Sequence, residues 1–183
     1  MVRCFVAVWP PPDVIAALGA LPRPPLDGAR WSTPNQWHVT LRFFGDLGPA
    51  ELEGAAAELA AVAASLPIQP TAQGGPGTRF LAPGLIVWPV DGLQTAAAAV
   101  EKATASIGEP VPERRFYGHI TVARGRRGTD LRRARHVLAP LATSWPVTSL
   151  SLVQSQLHPD GARYSDIEQY GIGPTPAGPT PAA

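Results

Sequence analysis

The sequence predicts an α+β fold: two antiparallel sheets with helices packed outside them. Three observations carry this. Short apolar runs of strand character come in groups, alanine-rich stretches at helical spacing separate those groups, and glycine and proline punctuate the junctions. The 183 residues include 22 prolines and 18 glycines, so elements must be short. A hydrophobic share of 45% against 16% charged residues excludes a disordered chain. One domain, or two small lobes sharing a core, suits this length.

The run "RCFVAVW", Arg3 to Trp9, is short, apolar and ended by Pro10 to Pro12. It reads as a buried strand, followed by a helix from about Asp13 to Leu21 with proline in its first turn. "WHVTLRFF" alternates around β-branched and aromatic residues, as a strand does. "GDLGPAELEGAAAELAAVAASLP" opens with turn residues and then carries Leu52, Leu59, Val62 and Leu66 at helical spacing. The pieces "IQPTAQG", "TRFLAP" and "GLIVWPV", separated by Gly and Pro, read as neighbouring antiparallel strands. "DGLQTAAAAVEKATASIG" is a second long helix stopped at Gly108.

"FYGHITVAR" is another strand, "TDLRRARHVLAP" a helix capped by Thr129 or Asp130, and "WPVTSLSLVQSQL" one long strand. "HPDGARYSDIEQY" closes as a turn and a final strand. Residues 1–172 form the folded unit, and 173–183, "GPTPAGPTPAA", an unstructured or polyproline-like tail. The halves on either side of about Asp91 look like loose copies, each with a His-bearing strand. A doubly wound parallel sheet does not fit, because βα alternation fails mid-chain and no glycine-rich phosphate loop follows a strand.

The opening "MVRCFVAVWPPP" has too few apolar residues before its prolines for a signal peptide core or a membrane span, so a cytoplasmic location without membrane attachment is expected. Cys4 is the single cysteine and sits in a predicted strand, which makes it an ordinary core thiol. Nothing in the sequence demands an oligomer, and a monomer is expected.

Two strands carry His-x-Thr. Residues two apart share a strand face, so His38, Thr40 and Arg42 point one way and Val39, Leu41 and Phe43 the other. His119 and Thr121 likewise oppose Ile120 and Val122. One such triplet means nothing, since most strand histidines are structural. Two, one in each half, allow imidazoles on opposite sides of one substrate atom. With an ordinary pKa of about 6.5, one neutral and one protonated imidazole coexist near neutral pH and act as base and acid. That chemistry suits phosphodiester hydrolysis without metal, with threonine hydroxyls and arginines holding the non-bridging oxygens. Zinc is the competing use of paired histidines, but there is no HExxH, no cysteine cluster and no evident third ligand. His136 reads as a helix-face residue and His158 as a turn residue.

The segments "RCFVAVWPP", "WHVTLRFFGDL", "GLIVWPV", "FYGHITVARG" and "LVQSQLHPDGARYSDI" together resemble the two-histidine (2H) phosphoesterases, in particular the RNA 2′,3′-cyclic phosphodiesterases also described as 2′-5′ RNA ligases. The resemblance spans nearly the whole chain up to about Gly173. It implies a bilobal α+β fold with a pseudo-two-fold axis, histidines lining a central cleft, and no metal or other cofactor. It also implies hydrolysis of a terminal 2′,3′-cyclic phosphate to a 2′-phosphomonoester, with 2′-5′ ligation as the reverse. By position His38 and Thr40 match the first motif, His119 and Thr121 the second, and Arg124 the arginine that follows it. Alternation puts Arg124 on the face opposite His119, so it reaches the phosphate only if the strand ends, bulges or curls there. Arg42 has the right parity for substrate binding. Tyr164 and Phe5 are candidates for the cleft wall or for stacking on a base, with core packing favoured for Phe5.

A formal net charge of +1 hides an uneven distribution. Arg114, Arg115, Arg124, Arg126, Arg127, Arg132, Arg133 and Arg135 share one segment with only Glu113 and Asp130 as acids. Such an excess suits a short polyanion leaving the cleft, an RNA end more than a long duplex. Alternatives are the same chemistry on a small cyclic nucleotide or an ADP-ribose cyclic phosphate, and a non-catalytic RNA- or nucleotide-binding module. The presence of both histidines and both threonines counts against the last.

Overall fold

The computed structural model describes residues 1–66, 69–126, 128–132, 138–158 and 161–173. Its elements are β1 (Val2–Val8), α1 (Pro12–Gly19), β2 (Ala29–Trp31), β3 (Val39–Leu47), α2 (Pro49–Ser65), β4 (Thr71–Gly74), β5 (Arg79–Ala82), β6 (Leu85–Asp91), α3 (Gln94–Ala103), β7 (His119–Gly125), β8 (Thr143–Pro146), β9 (Ser149–His158) and β10 (Gly161–Gly171). The strands pair in the order β10-β9-β1-β3-β7-β6-β4-β8, with β2 added to β7 and β5 to β6. Neighbouring strands run antiparallel, as expected.

The expected two sheets are joined at a seam. β3 and β7 meet through one registered pair, Val39 with Ile120, and four strands lie on either side of it. β1 stands between β3 and β9 in the first lobe, and β6 between β7 and β4 in the second. β6 is therefore the counterpart of β1. The repeat starts at Leu85, a few residues before the expected division near Asp91. β4, from the first half of the chain, completes the second lobe, and β9 completes the first.

Helices cover the face away from the cleft. Pro49 opens α2, whose Glu51 carboxylate accepts a hydrogen bond from the Gly48 N–H at 2.9 Å. Leu59 and Val62 of α2 and Ala97 and Val100 of α3 are buried in one core with Val39, Leu41, Phe44 and Leu47 of β3. Burying a leucine such as Leu59 contributes about 2 kcal/mol. Cys4 also lies in this core, where burial and then Asp46 push its thiol pKa up to about 11, as an inert thiol requires.

Two elements differ from expectation. The long strand predicted over Trp145–Leu157 is two, because the chain changes lobes at Val147 and Thr148: β8 pairs with β4, whereas β9 pairs with β1 and β10. Pro146 has no N–H with which to extend a ladder, and the Val147 N–H goes to Pro70 O at 2.8 Å. The helix expected to reach Gly108 ends at Ala103. There the carbonyls of Thr104, Ile107 and Glu109 turn to the Arg42 guanidinium instead of continuing the helical ladder. Gly108, at φ +63°, then passes so close to Phe44 O that a Cβ would collide with it. Of the helix expected across Thr129–Pro140, residues 133–137 lie outside the described residues, as does the tail from 174, and the described residues on either side are not α-helical. Among the described residues no helix is long and apolar enough to cross a membrane.

Candidate active site

The antiparallel seam fixes the site. With Val39 opposite Ile120, His38 stands across from Thr121 and Thr40 across from His119. The four side chains share one face, and all four residues are half-buried. The local pseudo-two-fold axis passes through the Val39–Ile120 pair. Gly118 permits the close approach, since a Cβ there would collide with Val90 O.

Both imidazoles are held alike. His38 Nδ1 lies 3.0 Å from Gln36 O and His119 Nδ1 2.8 Å from Tyr117 O, in each case the carbonyl two residues back. A carbonyl only accepts, so Nδ1 carries the hydrogen and Nε2 is free for chemistry. Gln36 also donates from Nε2 to Ala162 O at 2.9 Å, bracing the turn before His38 against β10. Its position two residues before the motif is the only trace of this role in the sequence.

Each strand bulges directly after its threonine. β1 pairs Ala7 with Thr40 and Val6 with Arg42, leaving Leu41 extra. β6 pairs Val87 with Thr121 and Ile86 with Ala123, leaving Val122 extra. A bulge reverses the alternation beyond it. Arg42 therefore turns into the core, 3% exposed, and donates to Thr104 O, Ile107 O and Glu109 O at 2.9 to 3.2 Å. Arg42, expected to face substrate, instead anchors the loop after α3 and also borders the cavity beside His119. Phe43 takes the cleft face instead. On β7 the same reversal carries Arg124 onto the cleft face, exposed, where it lines a cavity of about 370 Å³ with His38, Thr40, Thr121 and Tyr164. Phe43 and Arg124 are thus pseudo-symmetric twins of opposite chemistry.

The surroundings of the two histidines also differ. Phe5 lies 4.7 Å from the His38 ring, Tyr164 4.8 Å and Trp9 5.4 Å, the last two edge-on. Phe5, Ala7 and Val153, with Trp9, Phe43 and Tyr164 against them, form an apolar cluster separate from the main core. Phe5 is at once buried and part of the wall around His38. Among the described residues His119 has one ring neighbour, Tyr117, at 6.0 Å and 45% exposed. It opens on a second cavity of about 280 Å³, shared at Thr40 and Phe43 and lined also by Arg114 and Arg115.

Burial lowers the His38 pKa to about 4, assisted by the charges of Arg124 and His119 and opposed by the Gln36 carbonyl. The His119 pKa is lowered too, by burial first and by Arg124 and Arg114, against the Tyr117 carbonyl. Both shifts favour the neutral imidazole at neutral pH. Among the described residues no three His, Cys, Asp or Glu side chains gather where they would hold a metal ion. The basic segment is divided: Arg114 and Arg115 flank His119, Arg124 lines the cavity beside His38, Arg126 lines an adjoining recess, and Arg132 pairs with Asp130 at 2.6 Å. Arg127, Arg133, Arg135 and His136 lie outside the described residues, and His158 ends β9.

A family model described as LigT-like phosphoesterase matches residues 8–71. The protein TT0787 of Thermus thermophilus superposes with a TM-score of 0.73 at 27% identity, over 93% of this chain and 97% of that one. The chain is similar to the LigT-like phosphoesterases. The family match contains the first His-x-Thr motif, while the likeness to TT0787 extends across both lobes. E. coli LigT complexed with 3′-AMP has the same fold, with a TM-score of 0.71, 18% identity and coverage of 93% and 98%. LigT is also known in complex with NADP+, ATP and phosphate. A more distant likeness is the MHV ns2 PDE domain, at a TM-score of 0.51 and 12% identity, over 84% of this chain and 99% of that one. Comparison with curated protein sequences gives no match. That likeness supports phosphoester hydrolysis or ligation as the general chemistry.

Proposed function

We propose that the protein hydrolyses 2′,3′-cyclic phosphates at RNA ends to 2′-phosphomonoesters, without a metal. The carrying observation is the seam: two imidazoles with free Nε2 atoms, each across from the other motif's threonine, around a shared point. A phosphate above the Val39–Ile120 pair meets Thr40 and Thr121 hydroxyls, with Arg124 supplying positive charge and Tyr164 an aromatic wall. One neutral imidazole takes a proton from water as the water oxygen bonds to phosphorus. The O3′–P bond breaks, and the other imidazole, protonated when the anion is bound, donates its proton to O3′. Proton exchange with solvent restores both protonation states before the next turnover. A bound anion offsets these shifts, since a negative charge beside two lowered imidazoles favours their protonation.

The complexes of E. coli LigT with 3′-AMP, ATP and NADP+ support a nucleotide as ligand class. The test is a short RNA ending in a 2′,3′-cyclic phosphate, incubated with the protein and a chelator. A 2′-phosphate product is expected. No turnover, a 3′-phosphate product, or loss of activity on metal removal contradicts the reading.

A further inference from the structure

β2 adds to β7 in a register that sets Arg30 directly opposite Arg124, with Ala29 opposite Gly125. Directly opposed residues share a face, and both guanidinium residues are exposed. Like charges in that position repel. The usual remedy, a carboxylate between them, is missing: among the described residues no Asp or Glu lines either the cavity beside His38 or the adjoining recess of about 470 Å³ formed by Ala29, Arg30, Arg124, Gly125 and Arg126. The one ion pair among the described residues, Arg132 with Asp130, lies elsewhere.

Arg126 extends the row. It stands two residues beyond Arg124 and is exposed, with its backbone N–H fixed to Gly28 O at 2.8 Å. Arg30 and Arg124 line both the cavity beside His38 and the recess, so the row begins beside His38 and Thr121 and leads out of the cleft. Arg30 is braced at its other side by the β9–β10 hairpin, where a Cβ on Gly161 would touch its guanidinium. Opposed guanidiniums at the mouth of a phosphate site suit successive phosphates in a nucleic acid strand, each able to accept charge-assisted hydrogen bonds.

We propose that Arg30, Arg124 and Arg126 form a second anion site that holds the phosphodiester next to the reacting one, so that the substrate class is an oligoribonucleotide end and not a mononucleotide. This rests on the reading of the cleft as a cyclic-phosphate site. Arg124 faces both sites, whereas Arg126 faces the second alone.

The experiment measures binding of adenosine 2′-phosphate and of the dinucleotide ApA bearing a 2′-phosphate, across a salt series, for wild type, Arg30→Gln and Arg126→Gln. Turnover of the two corresponding cyclic phosphates is measured beside it. Wild type is expected to bind the dinucleotide about tenfold more tightly. Its log–log salt slope should be steeper by about 0.7, the value for one more phosphate on a single strand. Both substitutions should erase the preference and the extra slope, and Arg126→Gln should leave mononucleotide turnover unchanged. Equal affinity and slope for the two ligands in wild type, or a preference that survives both substitutions, overturns the second site. A dinucleotide preference lost in the variants, with no turnover of either cyclic phosphate, upholds the second site and overturns the catalytic reading.

Discussion

The two lobes meet in a symmetric motif but surround it differently. His38 is packed among Phe5, Trp9 and Tyr164, while His119 has one exposed tyrosine beside it and arginines around it. Directly after each threonine the same bulge delivers a phenylalanine to the cleft in the first lobe and an arginine in the second. Backbone symmetry thus places two imidazoles equivalently, and side-chain asymmetry makes one lobe an apolar wall and the other a source of positive charge. On the proposed reading, the apolar wall meets a nucleotide's ring and the charged side its phosphate.

The largest expected effect breaks the pair itself. His38→Ala and His119→Ala should each reduce kcat on a cyclic-phosphate RNA by about 10²- to 10⁴-fold with an unchanged circular dichroism spectrum. Near-wild-type turnover in either variant would show that the lobes do not share the chemistry. Next comes the twin position. Arg124→Ala should lower kcat/KM by about 10²-fold and raise both imidazole pKa values, because its charge depresses both. Phe43→Leu should leave those pKa values in place, and equal shifts from the two substitutions would deny the asymmetry.

Stability gives a third contrast. His38 has a folded-state pKa of about 4 against an ordinary 6.5, so between those values the unfolded chain binds more protons. Stability should be full above pH 6.5 and fall as pH drops toward 4, by about 3 kcal/mol from this residue. In urea melts, His38→Phe should flatten that slope, and an unchanged slope would mean that the aromatic wall does not bury the imidazole. The smallest effect is at Arg42. Arg42→Met should cost about 2 kcal/mol, through three carbonyls left without their donor, while KM stays at the wild-type value. A raised KM would return Arg42 to the substrate.

The α+β class, most element positions and the two His-x-Thr strands were legible because periodicity and turn residues report local geometry. Bulges are not local in this sense. Whether Leu41 and Val122 are extra depends on their partner strands β1 and β6, so simple parity misplaced Arg42 and Phe43 and left Arg124 conditional on a bulge. The break at Val147 was hidden for the same reason, since both pieces have strand composition and only sheet partners divide them. Trp9, Gln36 and Arg30 join the site through contacts distant in sequence, and no spacing announces them.

The account stands on one claim, that two differently housed imidazoles face a single phosphate. NMR titration of His38 and His119, with and without adenosine 2′-phosphate, tests it without relying on turnover. Without ligand both should titrate below 6.5, His38 near about 4, and the ligand should raise both together. An imidazole that titrates at or above 6.5 in the free protein, or one that the ligand leaves unmoved, would contradict it.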